Sequence, residues 1–355
     1  MPEPTVSVIV PVFNGEATIR TCLEALLAQD WPREALELIV VDNRSTDATQ
    51  AVVAEYPVRL LEEHRVQSSY AARNRGVAAS HGDLLAFTDA DCVPDPGWVR
   101  ALAGAFEDHR VGLAAGPIEA WRADRLVERY QAVCALRAER AVRHPVLPFA
   151  QTANAACTRV VFDAVGGFDA ACIFGGDLDF CWRVQRSTGL RLAYEAAAVV
   201  RHRHRTTWRG LFALYEKNAL ANCLLAERWP HYANYPSLRT GAFLGREVVR
   251  SGLRVLVTGP AGRGDPGFAP LPEMVRRAGE LSGWLRWRRG AVPPLRRHSS
   301  AVRGVAGRTV GMACSGTVAR AHEAPVPKPH LAEPASAAAG GLALSAPATL
   351  SAPRP

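Results

Sequence analysis

Four short apolar runs between Val6 and Thr88, separated by helix-like stretches, restrict the fold more than any other feature of the chain. Val6–Val12 is almost continuously apolar, as a parallel strand buried on both faces must be. Ile19, Cys22, Leu23, Leu26 and Leu27 then fall at i, i+3, i+4, i+7 and i+8, the inner stripe of a helix. A second strand is predicted at Leu38–Val41. Ser45 is expected to cap the next helix, with Asp47 in its first turn and Val52, Val53 and Tyr56 inward. Val58–Leu61 reads as a third strand, Ser68–Ala79 as a helix stopping near Gly82, and Leu84–Thr88 as a fourth strand. A β-α-β-α-β-α-β order predicts an α/β fold whose mostly parallel sheet is flanked by helices. Ligands of such sheets bind where strands end and turn into helices. Asn14, Glu16, Asp42, Asp89 and Asp91 collect at those ends.

From about residue 98 to 205 helices mix with shorter strands. Gly166–Gly167 and Gly175–Gly176 break the chain, and Leu190–Tyr194 and Val199–His202 are expected as edge strands. Beyond residue 206 the pattern is helical and basic. From about 320 the chain is rich in Ala, Pro and Ser without periodicity, which predicts a disordered tail over 320–355.

Composition fits this reading. At 48% hydrophobic and 21% charged residues, the 355-residue chain has the balance of a globular protein. No stretch approaches the roughly 18 apolar residues of a membrane span, and the start shows neither a basic leader nor a cleavage pattern, so a cytoplasmic protein is expected. The eight cysteines form no CxxC pair and are expected reduced and buried. Charge divides unevenly. Residues 1–200 hold 19 Lys and Arg against 26 Asp and Glu, net −7, whereas residues 201–355 hold 23 against 8, net +15, giving +8 in all. The acidic front half suits a metal-using site, and the basic back half suits contact with something anionic.

Three constellations carry chemistry. Asp89 and Asp91, in Phe87-Thr88-Asp89-Ala90-Asp91, follow a buried strand; a turn there aims both carboxylates at one cation, and Mg²⁺ and Mn²⁺ take oxygen ligands. Asp177 and Asp179 open a helix after paired glycines, where one of them can act as general base. A helix N-terminus lowers a carboxylate's pKa, so burial has to counter it for base chemistry near neutrality. In Val200-Arg201-His202-Arg203-His204-Arg205, alternation sets His202 and His204 on one face, and imidazole ligates transition-type divalent ions.

VSVIVPVFNGEATIRTCLEALLAQ, VVDNRSTDAT, AARNRG, LLAFTDADCVP, VGGFDAACIFGGDLDFCWRVQRSTGLRLAYE and VVRHRHR together resemble family 2 glycosyltransferases of the GT-A, Rossmann-like fold, in collinear order over roughly residues 5–215. The resemblance implies that Asn14, Glu16 and Asp42 hold the nucleoside and that Arg73 lies near the donor. It implies that Asp89 and Asp91 grip a Mn²⁺ or Mg²⁺ ion on the donor diphosphate, Asp91 as the direct ligand. Asp177 becomes the catalytic base, with Asp179 and Arg183 alongside for substrate, His202 a late metal or phosphate contact, and Asn154 a residue near the acceptor. Where the family often has Glu-Asp, this chain has Gly176-Asp177.

The expectation is therefore a metal-dependent, inverting transferase moving a sugar from a nucleoside-diphosphate sugar, UDP-type, to an acceptor hydroxyl in cell-envelope glycan, glycolipid or polysaccharide synthesis. The processive members' QxxRW helix is absent, which predicts transfer of one sugar or few. A sugar nucleotidyltransferase would need a glycine- and lysine-rich loop that Val12-Phe13-Asn14-Gly15-Glu16 does not supply. A catalytically inactive glycan- or nucleotide-binding relative has Gly176 in its favour and Asp89, Asp91 and Asp177 against it. The expected organisation is a catalytic region over 1–215 (nucleotide-sugar half 1–97, acceptor and base half 98–215), a helical basic region over 216–319, and the tail. Expected partners are the nucleotide-sugar donor and a glycan or lipid-linked acceptor, with no nucleic acid. Arg246, Arg250 and Arg254 run beside Val249, Leu253, Leu256 and Val257, and Met274, Ala278, Leu281 and Leu285 form a second stripe. Such stripes either dock on the catalytic region with the arginines solvated or lie on an anionic membrane, and peripheral contact at its cytoplasmic face is the hypothesis adopted.

Overall fold

A computed structural model describes residues 3–134, 138–144, 148–172, 174–229, 238–262, 269–291 and 295. The first half runs β1 (Val6–Val12), α1 (Ile19–Leu27), β2 (Leu36–Asp42), α2 (Thr49–Val53), β3 (Arg59–Glu62), α3 (Ser69–Ala79) and β4 (Leu84–Thr88). The chain continues through β5 (Cys92–Pro94), α4 (Trp98–Gly104), β6 (Val111–Ala115), β7 (Ile118–Ala120), α5 (Leu126–Cys134), α6 (Ala138–Val142) and β8 (Asn154–Thr158). Then follow α7 (Arg159–Ala164), α8 (Gly176–Thr188), β9 (Arg191–Tyr194), β10 (Val200–His202), α9 (Trp208–Arg228), α10 (Leu238–Thr258) and α11 (Pro270–Arg288).

Seven strands form the main sheet in the order β3-β2-β1-β4-β8-β6-β9. The pairs β1/β2, β1/β4, β2/β3 and β6/β9 are parallel, and β8 alone runs against its neighbours β4 and β6. Alternation along β1 divides the core. Val6, Val8, Val10 and Val12 join Ile19, Leu23 and Leu26 of α1 on one face. On the other, Ile9, Ile39 and Phe87 join Tyr70 and Val77 of α3 and Phe180 and Val184 of α8. Both faces are covered, as the alternation of runs and stripes predicts.

A second sheet has the order β5-β10-β7. The edge expected at Val199–His202 is in fact the centre of this sheet: β10 pairs antiparallel with β5 and parallel with β7. Its partners lie more than 80 residues earlier, so the short polar strand gives no local sign of them. The cap expected at Ser45 also moves. Helix α2 starts at Thr49, because Ser45 Oγ instead accepts the Asn14 N–H at 2.9 Å.

The expected boundary at 215 falls inside α9, which continues unbroken to Arg228. Helix α11 lies on α9 at small residues: a Cβ at Gly279 would meet the Phe212 carbonyl oxygen at 2.5 Å, and one at Gly283 would strike that of Glu216. The benzo edge of Trp284 takes the space a Cβ at Gly241 of α10 would fill. Leu281 and Leu285 pack on Cys223, Leu244 and Trp284, so α11's apolar stripe docks on protein rather than lipid. That of α10 stays exposed, with Val249, Leu253, Leu256 and Val257 between 58% and 84% accessible. Among the described residues no helix is long and apolar enough to cross a membrane. The predicted tail lies outside the described residues.

Candidate active site

The turn after β4 parts the two acids instead of converging them. The Asp89 carbonyl oxygen accepts the Cys92 N–H at 3.0 Å, and this tight reversal sends the side chains to different partners. Asp89 Oδ1 pairs with the Arg73 guanidinium of α3, which is only 2% exposed. Asp91 Oδ1 faces His202 Nε2 at 3.5 Å. Strand pairing sets that second contact, since β10 registers His202 opposite Cys92 and the Arg203 N–H donates to the Asp91 carbonyl oxygen at 2.9 Å. Asp91, Cys92 and His202 present ligand atoms within 4.8 Å of one another. Asp89, expected as a fellow ligand, stands outside that group because Arg73 holds it.

These residues fit a divalent cation through two donors, the Asp91 carboxylate and an imidazole nitrogen. Cys92 does not fit as a thiolate: burial, reinforced by Asp89 and Asp91, pushes its thiol well above the usual range. His202 Nδ1 is buried with no hydrogen-bond partner. The His204 ring lies 5.3 Å away, and burial, with help from His202 and Arg205, brings it down to about 4, so it is a neutral imidazole at neutral pH. The two histidines share a face, as alternation predicts.

The loops after β1 and β2 lace together. Asn14, in the left-handed region at φ 50°, accepts the Thr46 N–H at 2.8 Å. Glu16 Oε2 accepts the Ala48 N–H at 3.2 Å, and the Glu16 N–H donates to Asp47 Oδ2 at 3.2 Å. Asp42, at the end of β2, is fully buried. Its Oδ2 accepts from the Ser45 N–H and from Gln50 Nε2, and its Oδ1 has no protein donor.

Helix α8 presents Asp177 at its first turn, after Gly175 in the left-handed region at φ 71°. Its Oδ1 accepts from the Tyr70 hydroxyl at 3.3 Å and the Leu178 N–H at 3.1 Å. Burial raises its pKa, opposed first by Arg73 and then by backbone N–H donors. The competition left open by the sequence thus goes to burial, in the direction a base requires. Tyr70 is a neighbour the sequence reading missed. Its signal was its place three residues before Arg73, on the same face of α3.

Three expected site residues are buried among protein partners. Asp179 has no exposed side-chain surface and binds Arg183 Nε at 2.9 Å, Arg228 Nη1 at 3.0 Å and Trp229 Nε1 at 2.9 Å. Arg183 spends its other nitrogens on the carbonyl oxygens of Val165 and Gly167, each at 2.7 Å. Asn154 is fully buried; it accepts from Trp98 Nε1 at 2.8 Å and donates to the carbonyl oxygens of Pro117 and Ala198. All three are buried and held by protein partners.

Residues 7–166 match the family model described as Glycosyl transferase family 2. Over those residues the chain is similar to family 2 glycosyltransferases. The chain is 33% identical over 187 residues to Glycosyltransferase AglE of Haloferax volcanii, covering 51% of this chain and 61% of that protein. It is 33% identical over 217 residues to the Pre-mycofactocin glycosyltransferase of Mycobacterium tuberculosis, covering 59% of this chain and 44% of that protein. The matches thus span roughly half of these relatives' length. A mannosyltransferase of Pyrobaculum calidifontis, PcManGT, solved with GDP-Man and Mn²⁺, shares the fold at a TM-score of 0.57 and 22% identity, covering 80% of this chain and 86% of that one. The likeness is one of fold, a mostly parallel sheet flanked by helices.

Proposed function

We propose that this chain is a metal-dependent, inverting glycosyltransferase that moves a hexose from a nucleoside-diphosphate sugar, UDP-type, to a hydroxyl of a glycan or lipid-linked acceptor in cell-envelope synthesis. One observation carries the reading. A carboxylate–imidazole pair, Asp91 with His202, stands at a strand end, and a base-competent Asp177 is linked to the neighbouring Asp89 through Tyr70 and Arg73. Asp91 and His202 would hold a divalent cation, which would supply Lewis-acid stabilisation of the leaving diphosphate. An imidazole donor favours Mn²⁺ over Mg²⁺, which prefers all-oxygen shells. Asp42 Oδ1, lacking a protein donor, accepts an N–H of the nucleobase. Asp177 takes the acceptor's proton as the hydroxyl oxygen attacks the anomeric carbon. The bond from that carbon to the diphosphate breaks on the opposite side, which inverts the configuration. Base strength at Asp177 also counts against an inactive relative.

The test is product formation with UDP-hexoses and GDP-mannose under Mn²⁺, Mg²⁺ and EDTA, with the anomer assigned by NMR. GDP-mannose belongs in the panel because the structurally similar mannosyltransferase was solved with it. Mn²⁺-dependent transfer with inversion is expected; turnover undiminished in EDTA, or retention of configuration, would overturn the proposal. For the acceptor we propose a membrane-borne partner, reached by peripheral attachment at the cytoplasmic face. Support comes from the outward side of α10, where the exposed Val249, Leu253, Leu256 and Val257 run beside exposed Arg246, Arg250 and Arg254. Such a helix lies in an anionic interface without spanning it.

A further inference from the structure

Gly176 and Tyr70 compete for one volume. A Cβ at Gly176 would lie 2.8 to 2.9 Å from three carbons of the Tyr70 ring, closer than packed atoms tolerate, so the first position of α8 is cut away to admit that ring. The ring is also held by Phe168, 5.6 Å between centroids, and by the Arg73 guanidinium 5.6 Å above it. From this seat the hydroxyl reaches Asp177 Oδ1 at 3.3 Å. Burial, then the Asp177 charge, raises the phenol well above its ordinary range, so it stays a donor at all working pH values.

We propose that Tyr70 is a positioning residue for Asp177, doing from α3 what no side chain at position 176 can do from α8. The proposal rests on the reading of Asp177 as the base. Two donors on Oδ1, the Tyr70 hydroxyl and the Leu178 N–H, fix the plane of the carboxyl group. It then meets the acceptor hydroxyl in one orientation, and orientation is a large share of a base's effect. The charged and titratable groups facing Asp177 are Tyr70 and Arg73 from α3 and Cys181 from its own helix, with the Thr152 N–H from the preceding loop. Of these, only the Tyr70 hydroxyl can be removed with the ring left in place. Its loss takes a hydrogen bond from the ionised form and so moves the carboxyl further up.

The experiment compares the full chain with Tyr70→Phe, Gly176→Ala and Asp177→Asn, measuring kcat, donor KM, the pH profile of kcat/KM and the melting temperature. Tyr70→Phe is expected to lose roughly 10-fold in kcat, the worth of one hydrogen bond to a charged group. Donor KM and melting temperature should hold, and the acid limb should move to higher pH because the carboxyl must still be ionised to act. Gly176→Ala should reproduce that shift by pushing the ring aside. A Tyr70→Phe enzyme with unchanged kcat and acid limb, beside an inactive Asp177→Asn, would overturn the role of Tyr70 alone. An Asp177→Asn enzyme of near-normal kcat would remove the base, and the proposal with it.

Discussion

Asp89 and Asp91 are two residues apart and answer to different partners, so their removal should have different costs. Asp91→Ala takes away a half-buried carboxylate whose contact is His202, and should abolish metal-dependent transfer while leaving the melting curve in place. Asp89→Ala leaves the buried Arg73 guanidinium without its carboxylate, and an uncompensated buried charge costs about 3–5 kcal/mol when a pair is fully buried, less here because Asp89 is a third exposed. A melting temperature lowered for Asp89→Ala but not for Asp91→Ala, read by scanning calorimetry, is the expected outcome. Equal stability would mean that the Arg73 pairing contributes little to the fold. What the sequence discloses at this scale follows from distance along the chain. Asp91, His202 and Asp177 stand at strand and helix ends that periodicity locates. Asn154 and Asp179 look the same in the sequence, yet the partners of Asn154 lie 37 to 56 residues away, and Asp179 adds to the nearby Arg183 two partners 49 and 50 residues away, so only the folded chain reveals that both are held by protein.

Between elements, the contact of α11 with α5 carries the clearest pH signature. The Tyr130 hydroxyl donates to Glu273 Oε2 at 2.6 Å, and Arg276 and Arg277 flank the same carboxylate. Burial works to raise Glu273, but hydrogen bonds from Arg276 and Tyr130 outweigh it and hold the group at about 2. A folded pKa below the unfolded one means stability that is complete above about 4.5 and is lost as pH falls toward 2. Glu273→Gln should therefore lower the melting temperature near neutrality and flatten its fall between pH 4.5 and pH 2; a parallel acid fall in both proteins would contradict this. Elements themselves were legible where period and burial agree: β1, α1, α3 and β4 lie within a residue of where the apolar pattern puts them. The sequence misplaced α2 and β10 because their fates are set by other loops and strands, Asn14 capturing Ser45 and β5 with β7 enclosing β10.

By sequence an acidic first half precedes a basic second half, and among the described residues the outward side of α10 exposes Val249, Leu253, Leu256 and Val257. Three arginines near an anionic surface add about 3 kcal/mol, roughly 100-fold in partitioning at low salt. The full chain should co-sediment with phosphatidylcholine vesicles containing phosphatidylglycerol and stay in solution with phosphatidylcholine alone. Leu253→Glu with Leu256→Glu, both at exposed positions, should abolish the binding; equal recovery in the supernatant with both vesicles would refute membrane attachment. The strand order has a different consequence, felt before the protein is finished. Strands β1 to β4 lie within the first 88 residues and pair among themselves, whereas β4 waits for β8, which begins at Asn154. At 5–20 residues per second that interval of 66 residues lasts roughly 3–13 s. Throughout it the apolar edge Leu84-Leu85-Ala86-Phe87 of a nascent half-sheet is open on the ribosome, a template for any passing strand. Translation speed across residues 89–153 thus bears on the yield of folded protein, through the time that edge stands unpaired.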